Sequence, residues 1–197
     1  MLKLGITGGI GSGKSTVCEI FKSLNIPIYS ADDRAKALMT EDRELIKAVK
    51  ALFGEEAYTA DGSLNRALIA SIVFQDAAKL EALNAAVHPA VFRDFARWSA
   101  EQTSPYVIKE AALMFESGSF RDLDYVVTVS APQQLRIERS MKRDNTSAEA
   151  IKARMKKQWS EKQRLEAADF VIQNDGKHQL IPQVLELHQK MLFAAGL

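Results

Sequence analysis

The glycine-rich segment at residues 8–15, with the sequence GGIGSGKS, carries the clearest chemistry in the chain. It matches the pattern G-x-x-x-x-G-K-[ST], in which glycines let successive backbone N–H groups converge on a phosphate. In this pattern Lys14 adds a cation at the β- and γ-phosphates, and the Ser15 hydroxyl is placed to bind Mg²⁺. A chance match in a glycine-rich turn is the alternative, but the segment follows a predicted strand and opens a predicted helix. We therefore predict that this segment, called the phosphate loop below, binds a nucleoside triphosphate, ATP.

Two aspartates follow the second predicted strand, at a place where α/β sheets hold ligand-handling residues. A carboxylate at Asp32 or Asp33 could accept the proton of an attacking hydroxyl while a γ-phosphoryl group moves in line. A helix also begins here, and aspartate is favoured at a helix N-cap. From spacing alone the two interpretations are equally supported, and each aspartate could have one of the two roles.

A basic segment further along the chain is a second candidate for phosphate chemistry. Arg136, Arg139 and Arg143 recur at positions i, i+3 and i+7, so that they share one face of a predicted helix. Most charge-rich helices are merely solvated. Phosphoryl transfer, however, needs cations over the transferring group, and a mobile lid that carries arginines supplies them while it excludes water.

These residues must be positioned by a sheet of short apolar strands that alternate with helical patterns. The candidate strands are residues 2–7, 26–29, 106–108, 125–129 and 170–172. They are continuous apolar runs, which is typical of parallel strands that are covered on both faces. The predicted class is therefore α/β with a mostly parallel sheet.

Two stretches depart from this alternation. Residues 32–104 contain many helix formers and no convincing strand, which predicts a helical insertion that is interrupted at His88 and Pro89. A lone histidine such as His88 is more often a hydrogen-bonded structural residue than a ligand or catalyst. Residues 135–164 are densely charged, and a capping-box pattern that starts at Thr146 predicts a second helix there.

The amino-acid composition limits the classes of protein to which the chain can belong. The chain has 197 residues, enough for one domain with inserted subdomains, and its net charge is +1. A strongly basic nucleic-acid binder would look different, although a local cationic patch is compatible with this balance. Cys18 is the single cysteine, which excludes an internal disulfide, and no run of about eighteen apolar residues occurs. We expect a soluble cytoplasmic protein without a nucleic-acid or membrane partner, monomeric or weakly homo-oligomeric.

Several separated motifs resemble the dephospho-coenzyme A kinase family nearly end to end. They are TGGIGSGKST at residues 7–16, SADDRAK at 30–36, DGSLNR at 61–66, LNAAVHP at 83–89, ALMFE at 112–116, RSMKRD at 139–144 and ADFVIQNDG at 168–176. Ser30 and Lys36 depart from the family pattern D-A-D-x-x-A-R, which indicates that these positions support the site rather than carry the chemistry. Ala112 stands where the family has proline in P-L-L-x-E, so the backbone of that loop can differ.

The resemblance implies ATP-dependent phosphorylation of the ribose 3′-hydroxyl of dephospho-CoA, with Mg²⁺, to give coenzyme A and ADP. The nearest alternative is another P-loop kinase of small molecules or nucleotides. A nucleotide-dependent switch is less well supported, since no N-K-x-D base-reading motif occurs. The implied fold is a P-loop NTPase-type parallel sheet of about five strands. Its core is residues 1–31, 105–135 and 163–197, with a helical substrate subdomain at 32–104 and a helical lid at 136–162.

The resemblance also implies roles for single residues. The implied catalytic residues are Lys14, Asp32, Arg139 and Arg143, which leaves Asp33 as the helix cap. The implied ATP-binding residues are Gly8, Gly9, Gly11, Ser12, Gly13, Lys14, Ser15, Thr16 and Asn174. The implied substrate-binding residues are Asp32, His88, Leu113 and Glu116. Ser15 and Glu110 are the implied partners of Mg²⁺.

Overall fold

One sheet of five parallel strands organises the computed structural model, which describes all residues from Met1 to Leu197. The strands are β1 (Leu2–Thr7), β2 (Ile28–Ser30), β3 (Tyr106–Glu110), β4 (Tyr125–Ser130) and β5 (Phe170–Gln173). They lie in the order β2-β3-β1-β4-β5, so that β1 is central and its carboxyl end opens directly into the phosphate loop. The predicted α/β class with a five-stranded parallel sheet is confirmed.

The core forms around the central strands because their side chains are apolar on both faces. Leu4, Ile6, Val127 and Val129 have no exposed surface, and each fully buried side chain of this kind contributes about 2 kcal/mol to folding. Cys18 belongs to the same apolar cluster, and burial raises the pKa of its thiol to about 12. Cys18 therefore acts as a packing residue of the core.

Five helices surround this sheet in the part of the chain that also contains all five strands. They are α1 (Lys14–Ser23), α6 (Gln133–Asp144), α7 (Ala148–Met155), α8 (Glu161–Ala167) and α9 (Leu180–Ala194). Between α6 and α7, Asn145 adopts a left-handed conformation, and the side chain of Ser147 caps α7 by accepting from the Ala150 amide at 3.2 Å. The cap is therefore one residue later than the capping-box pattern at Thr146 predicts.

The chain folds as two compact units. Residues 1–30 and 102–197 form the first, called the core unit, and Ala31–Glu101 forms the second, called the helical unit. The helical unit contains α2 (Ala31–Glu41), α3 (Arg43–Phe53), α4 (Arg66–Gln75) and α5 (Ala77–Ala100), with a short 3-10 helix at Glu55–Ala57. Its extended backbone is limited to one isolated bridge between Tyr58 and Leu64.

Helix α5 contradicts the expectation that His88 and Pro89 interrupt the helical insertion. The helix runs for 24 residues through Pro89 without a break. Proline removes one backbone donor, but buried residues continue at helical spacing on both sides of it, Val87 before and Val91 and Phe95 after. Packing of this face therefore outweighs the lost hydrogen bond. No helix of the protein, α5 included, combines the length and apolarity that a membrane span requires.

Candidate active site

The phosphate loop connects β1 to α1 in a conformation that requires glycine. Gly11 and Gly13 have φ angles of 77° and 94°, in the left-handed region that disfavours other residues. Gly13 is the residue before α1, so the first amides of this helix point into the loop. The Lys14 ammonium lies 3.1 Å from the Gly8 carbonyl oxygen to which it donates. Backbone donors and a cation thus converge in the loop, as anion binding demands.

Lys14 also faces the carboxylate of Glu110. Its Nζ lies 3.9 Å from Glu110 Oε1, and both side chains are mostly buried. The pairing of β1 with β3 explains this proximity, because Ile6 and Glu110 are partners in the parallel register. Ser15 and Thr16, in the first turn of α1, have exposed side chains. The structure therefore brings Lys14 and Glu110 together beside an accessible hydroxyl.

Asn174 connects the phosphate loop with the basic helix α6. Its amide Nδ2 donates to the Ser12 carbonyl at 2.8 Å. Arg139 donates to Asn174 twice, to the backbone oxygen at 3.1 Å and to Oδ1 at 3.4 Å. Asn174 follows β5, which lies two strands from β1 in the sheet. Arg139 and Asn174 are thus assembled with the loop, although the sequence separates them from it by more than a hundred residues.

Arg143 has a different environment. Its Nε and Nη2 donate to the two carboxylate oxygens of Asp144, at 2.7 and 3.1 Å, and Arg154 also pairs with Asp144 at 2.6 Å. These two guanidinium groups hold the pKa of the Asp144 carboxyl well below its usual range. Arg143 is largely exposed. It pairs with the last residue of α6, whereas Arg139 donates to Asn174 beside the phosphate loop.

Two buried arginines lie beside Gly9, and the sequence predicted only one of them, Arg136, as a candidate, while Arg164 was missed. Arg136 and Arg164 are 6% and 2% exposed, and both donate to Glu161 Oε2 at 2.6 Å. Burial lowers the pKa of the Arg136 guanidinium, and Glu161 acts in the opposite direction. Two cations therefore share one carboxylate beside the loop. Helical spacing placed Arg136 on the face of Arg139 and Arg143, but it could not show that this position is buried.

The loop after β3, at residues 112–116, contacts the segment between α7 and α8. Glu116 Oε1 accepts from the Trp159 amide at 2.7 Å, and the rings of Phe115 and Trp159 stack with centroids 5.3 Å apart. Leu113 is 45% exposed, a large apolar side chain that is accessible to a ligand. The motif at these residues drew attention to Leu113 and Glu116. No local signal marked Trp159 as their neighbour.

The remaining predicted residues lie in the helical unit. Asp32 is the second residue of α2 and is exposed. Asp33 is the third residue of that helix rather than its cap, because the helix begins earlier than the sequence indicated. Its carboxylate accepts from Lys36 at 2.9 Å. His88 packs on α5 against Phe92, with ring centroids 6.5 Å apart.

The residues around Lys14 suit Mg²⁺ only when the ion is shared with a phosphate. No group of three or more histidine, cysteine, aspartate or glutamate side chains is arranged to hold a metal by itself. Ser15 and Glu110 together offer a hydroxyl and a carboxylate. Mg²⁺ typically takes one or two such protein oxygens and completes its octahedron with substrate phosphates and water. The donor set therefore fits a nucleotide-borne Mg²⁺.

Comparison with known proteins identifies the family of this chain. The profile of the family described as dephospho-CoA kinase (CoaE) matches residues 2–179. The dephospho-CoA kinase of Bacteroides fragilis is 40% identical over 187 residues, which cover 94% of this chain and 91% of that protein. The dephospho-CoA kinase of Chlorobaculum tepidum is 41% identical over 199 residues, with 97% and 95% covered.

Solved structures agree as well. The structure of dephospho-CoA kinase from Campylobacter jejuni has a TM-score of 0.70 at 26% identity, with 98% of each chain covered. The structure of TT1252 from Thermus thermophilus has a TM-score of 0.81 at 34% identity, with 98% of this chain and 96% of that chain covered. Shikimate kinase from Bacteroides thetaiotaomicron, at 11% identity and a TM-score of 0.52 with 97% and 98% covered, shares the fold alone. The chain therefore belongs to the dephospho-CoA kinase family, whose members are ATP-dependent kinases.

Proposed function

We propose that this protein transfers the γ-phosphoryl group of ATP to the ribose 3′-hydroxyl of dephospho-CoA. The hydroxyl oxygen forms the new bond to phosphorus, the bond from the γ-phosphorus to the β–γ bridging oxygen breaks, and ADP leaves. The hydroxyl proton passes to Asp32. The observation that carries the proposal is the phosphate loop, with its left-handed glycines and a Lys14 ammonium held 3.1 Å from Gly8 and 3.9 Å from Glu110.

Binding of ATP follows from the donors of the phosphate loop. The backbone amides of residues 8–16 and the positive end of α1 receive the phosphates, and Lys14 leaves the Gly8 carbonyl for the β- and γ-phosphate oxygens. For the nucleoside we propose a contact from Asn174, whose amide donates to the Ser12 carbonyl of the phosphate loop. Ser15 and Glu110 are the residues that would hold a nucleotide-bound Mg²⁺. When bound, Mg²⁺ offsets the charge of the β- and γ-phosphates.

Asp32 is the proposed base for the acceptor hydroxyl. It follows Ser30 by two residues, and Ser30 is the register partner of Glu110 across β2 and β3. Chain connectivity therefore keeps Asp32 within two residues of the end of β2, where Ser30 is paired with Glu110. Its exposed carboxylate is accessible to a substrate hydroxyl. For the acceptor we propose contacts from His88, Leu113 and Glu116 in addition.

Residues 136–162 are proposed to act as a lid over the transferring group. Arg139, which donates to the Asn174 backbone oxygen at 3.1 Å beside the phosphate loop, is proposed to turn to the phosphates when ATP is bound. Arg143 would first have to leave Asp144. Around the lid we propose a core of residues 1–31, 105–135 and 163–197 and a substrate subdomain of residues 32–104. We further propose that the enzyme is cytoplasmic and monomeric or weakly associating, and that it has no nucleic-acid partner, for which a net charge of +1 offers little attraction.

One experiment tests the reaction and the base together. ADP release is measured with dephospho-CoA, AMP, adenosine and pantetheine-type acceptors, using the wild type and the variants Asp32→Asn and Asp33→Asn. We expect turnover with dephospho-CoA, a loss of about 10²–10⁴-fold in Asp32→Asn with ATP affinity retained, and near-normal turnover in Asp33→Asn. Turnover only with the other acceptors contradicts the proposed substrate. Near-normal turnover of Asp32→Asn contradicts the proposed base.

A further inference from the structure

The side chain of Gln158 bridges two loops of the core unit. Its Oε1 accepts from the Ile10 backbone amide at 2.9 Å, and Ile10 is a residue of the phosphate loop. Its Nε2 donates to the Ala112 backbone oxygen at 3.1 Å, at the start of the loop that follows β3. A carboxamide can accept and donate at once through one planar group. Ile10 and Ala112 are therefore linked through the atoms of one planar carboxamide.

The neighbouring residue strengthens the second contact. Trp159 donates its backbone N–H to Glu116 Oε1 at 2.7 Å, and its ring lies nearly parallel to Phe115, with an interplanar angle of 10°. The segment that carries Gln158 is thus fixed to both ends of residues 112–116. The same segment is attached to the phosphate loop by the hydrogen bond from the Ile10 amide to Gln158. A rearrangement of the phosphate loop therefore acts on Gln158 and Trp159 together.

Binding of a triphosphate changes the surroundings of Ile10. The amides of a phosphate loop are the groups that turn toward phosphate oxygens. When ATP occupies the loop, the Ile10 amide either keeps Gln158 as its partner in a new position or exchanges it for a phosphate oxygen. Either change alters the hydrogen bonding of the Gln158 carboxamide, whose Nε2 is bonded to Ala112.

We infer that Gln158 is a positioning residue that couples ATP binding to the acceptor side of the active site. The inference rests on the proposed function, because Leu113 and Glu116 are the residues proposed there to contact dephospho-CoA. Coupling of this kind is reciprocal, so that each substrate changes the affinity for the other by the same factor. Gln158 itself touches neither reacting atom. Its effect is confined to how firmly the second substrate binds once the first is present.

The test is a thermodynamic cycle measured by calorimetry on the full chain. The affinity for a non-hydrolysable ATP analogue is determined with and without dephospho-CoA, in the wild type and in Gln158→Leu, Gln158→Glu and Gln134→Leu. We expect a coupling factor of about five or more in the wild type. Gln158→Leu, which makes neither hydrogen bond, reduces the factor to about one, while the affinity for each substrate alone changes by less than about threefold. Gln158→Glu keeps an acceptor for Ile10 but cannot donate to Ala112, so it loses the coupling too.

Gln134→Leu is the matched control. Gln134 is exposed on α6, and its amide donates within the helix to Glu138. It should therefore keep the wild-type coupling factor. A second readout is the fluorescence of Trp159 in a Trp98→Phe background, where Trp159 is the remaining tryptophan. The ATP analogue should change this signal with Gln158 present and leave it nearly unchanged in Gln158→Leu.

The outcomes separate this inference from the proposed function. Equal coupling in the wild type and in a folded Gln158→Leu protein would overturn the role of Gln158, as would a wild-type factor of one with normal turnover. A wild type that neither binds nor phosphorylates dephospho-CoA contradicts the proposed function instead. If Gln158→Leu unfolds, the folded Gln158→Glu variant decides through its coupling factor: it retains the acceptor for Ile10 and loses the link to Ala112, while the charge that it adds lowers ATP affinity both with and without dephospho-CoA.

Discussion

The phosphate loop and the helical unit are stabilised in opposite ways. In the loop, Ile10 bonds to a side chain 148 residues away, and the Ser12 carbonyl bonds to one 162 residues away. In the helical unit, Asp42 and Asp76 cap the amides of residues two and three positions later. The loop is therefore held by distant elements, whereas α3 and α5 begin at caps that their own sequence supplies.

This difference indicates where a substitution damages function and where it damages stability. A loop held by distant partners must present its amides in one arrangement, and its glycines leave no room for change. A helix that carries its own caps and pairs loses one interaction at a time. We therefore expect loop substitutions to abolish binding in a protein that still folds, and substitutions in the helical unit to lower the free energy of unfolding step by step.

The largest expected effect is that of Gly11→Ala. The φ of Gly11 is 77°, and a Cβ there would lie 2.9 Å from the Arg136 carbonyl carbon and would also meet the backbone oxygen of that residue. Because backbone cannot rotate away as a side chain can, the loop must leave α6. We expect ATP affinity and turnover to fall at least about a hundredfold, equivalent to roughly 3 kcal/mol. Calorimetric titration with ATP and an ADP-release assay measure both.

Gly62→Ala is the matched control in the helical unit. Gly62 has a φ of 81°, but a Cβ there would meet no atom within 4 Å. We therefore expect Gly62→Ala to lower the free energy of unfolding by about 1–2 kcal/mol, through backbone strain alone, and to leave ATP affinity unchanged. Equal losses of ATP affinity in the two variants would show that the loop has no special dependence on its packing partners.

A smaller effect, on stability, is expected for Asp94→Asn. The Asp94 carboxylate is nearly buried on α5, where it accepts from Arg34 at 2.8 and 3.2 Å and from Arg97 at 2.7 Å. Asparagine keeps the shape but leaves two guanidinium groups without their shared anion. Since both arginines are partly exposed, we expect a loss of about 2 kcal/mol in urea unfolding rather than the larger cost of a fully buried pair. Asp33→Asn, which breaks an exposed pair with Lys36, should change stability by less than about 0.5 kcal/mol.

The sequence predicted the local features of both regions but few of the distant contacts. The phosphate loop, Lys14 and the strands were recognisable because the pattern of neighbouring residues determines them. Arg164 and Gln158 were not, since a partner more than a hundred residues from the loop is brought to it only by the order of the strands. Periodicity placed Arg136 on a helix face and gave no information on its depth. The expected break at Pro89 was wrong because tertiary packing of α5 outweighs one missing donor.

A cap in the helical unit provides the next smaller effect. Asp76 Oδ1 accepts from the amides of Ala78 and Lys79, at 2.9 and 3.1 Å, at the start of α5. Asp76→Ala leaves these amides to water, and we expect a loss of about 1 kcal/mol in urea unfolding. Asp76→Ser, which keeps an acceptor oxygen, should recover most of it. A large fall in the turnover of the folded Asp76→Ala protein would contradict the view that this unit is stabilised locally.

The smallest effect concerns a distant contact in the core unit that does not involve the phosphate loop. The Nδ1 of His188 on α9 lies 2.7 Å from the hydroxyl of Tyr106, which is buried on β3. The two residues are 82 positions apart. Burial lowers the pKa of the His188 imidazole below its usual 6.5. No other titratable side chain lines the adjacent cavity of about 410 Å³.

The sign of the resulting pH dependence follows from which state binds more protons. Near and below pH 6.5 the unfolded chain protonates His188 more readily than the folded protein does, so stability from this group is present above that pH and is lost as the pH falls. We expect the free energy of unfolding to decrease from pH 7 toward pH 5 with a contribution of less than one proton, below about 1.4 kcal/mol per pH unit. His188→Gln keeps a hydrogen-bonding partner for Tyr106 and removes the titration. Urea unfolding of both proteins across this range should therefore give a shallower slope for the variant, and identical slopes would mean that the folded protein protonates His188 as readily as the unfolded chain.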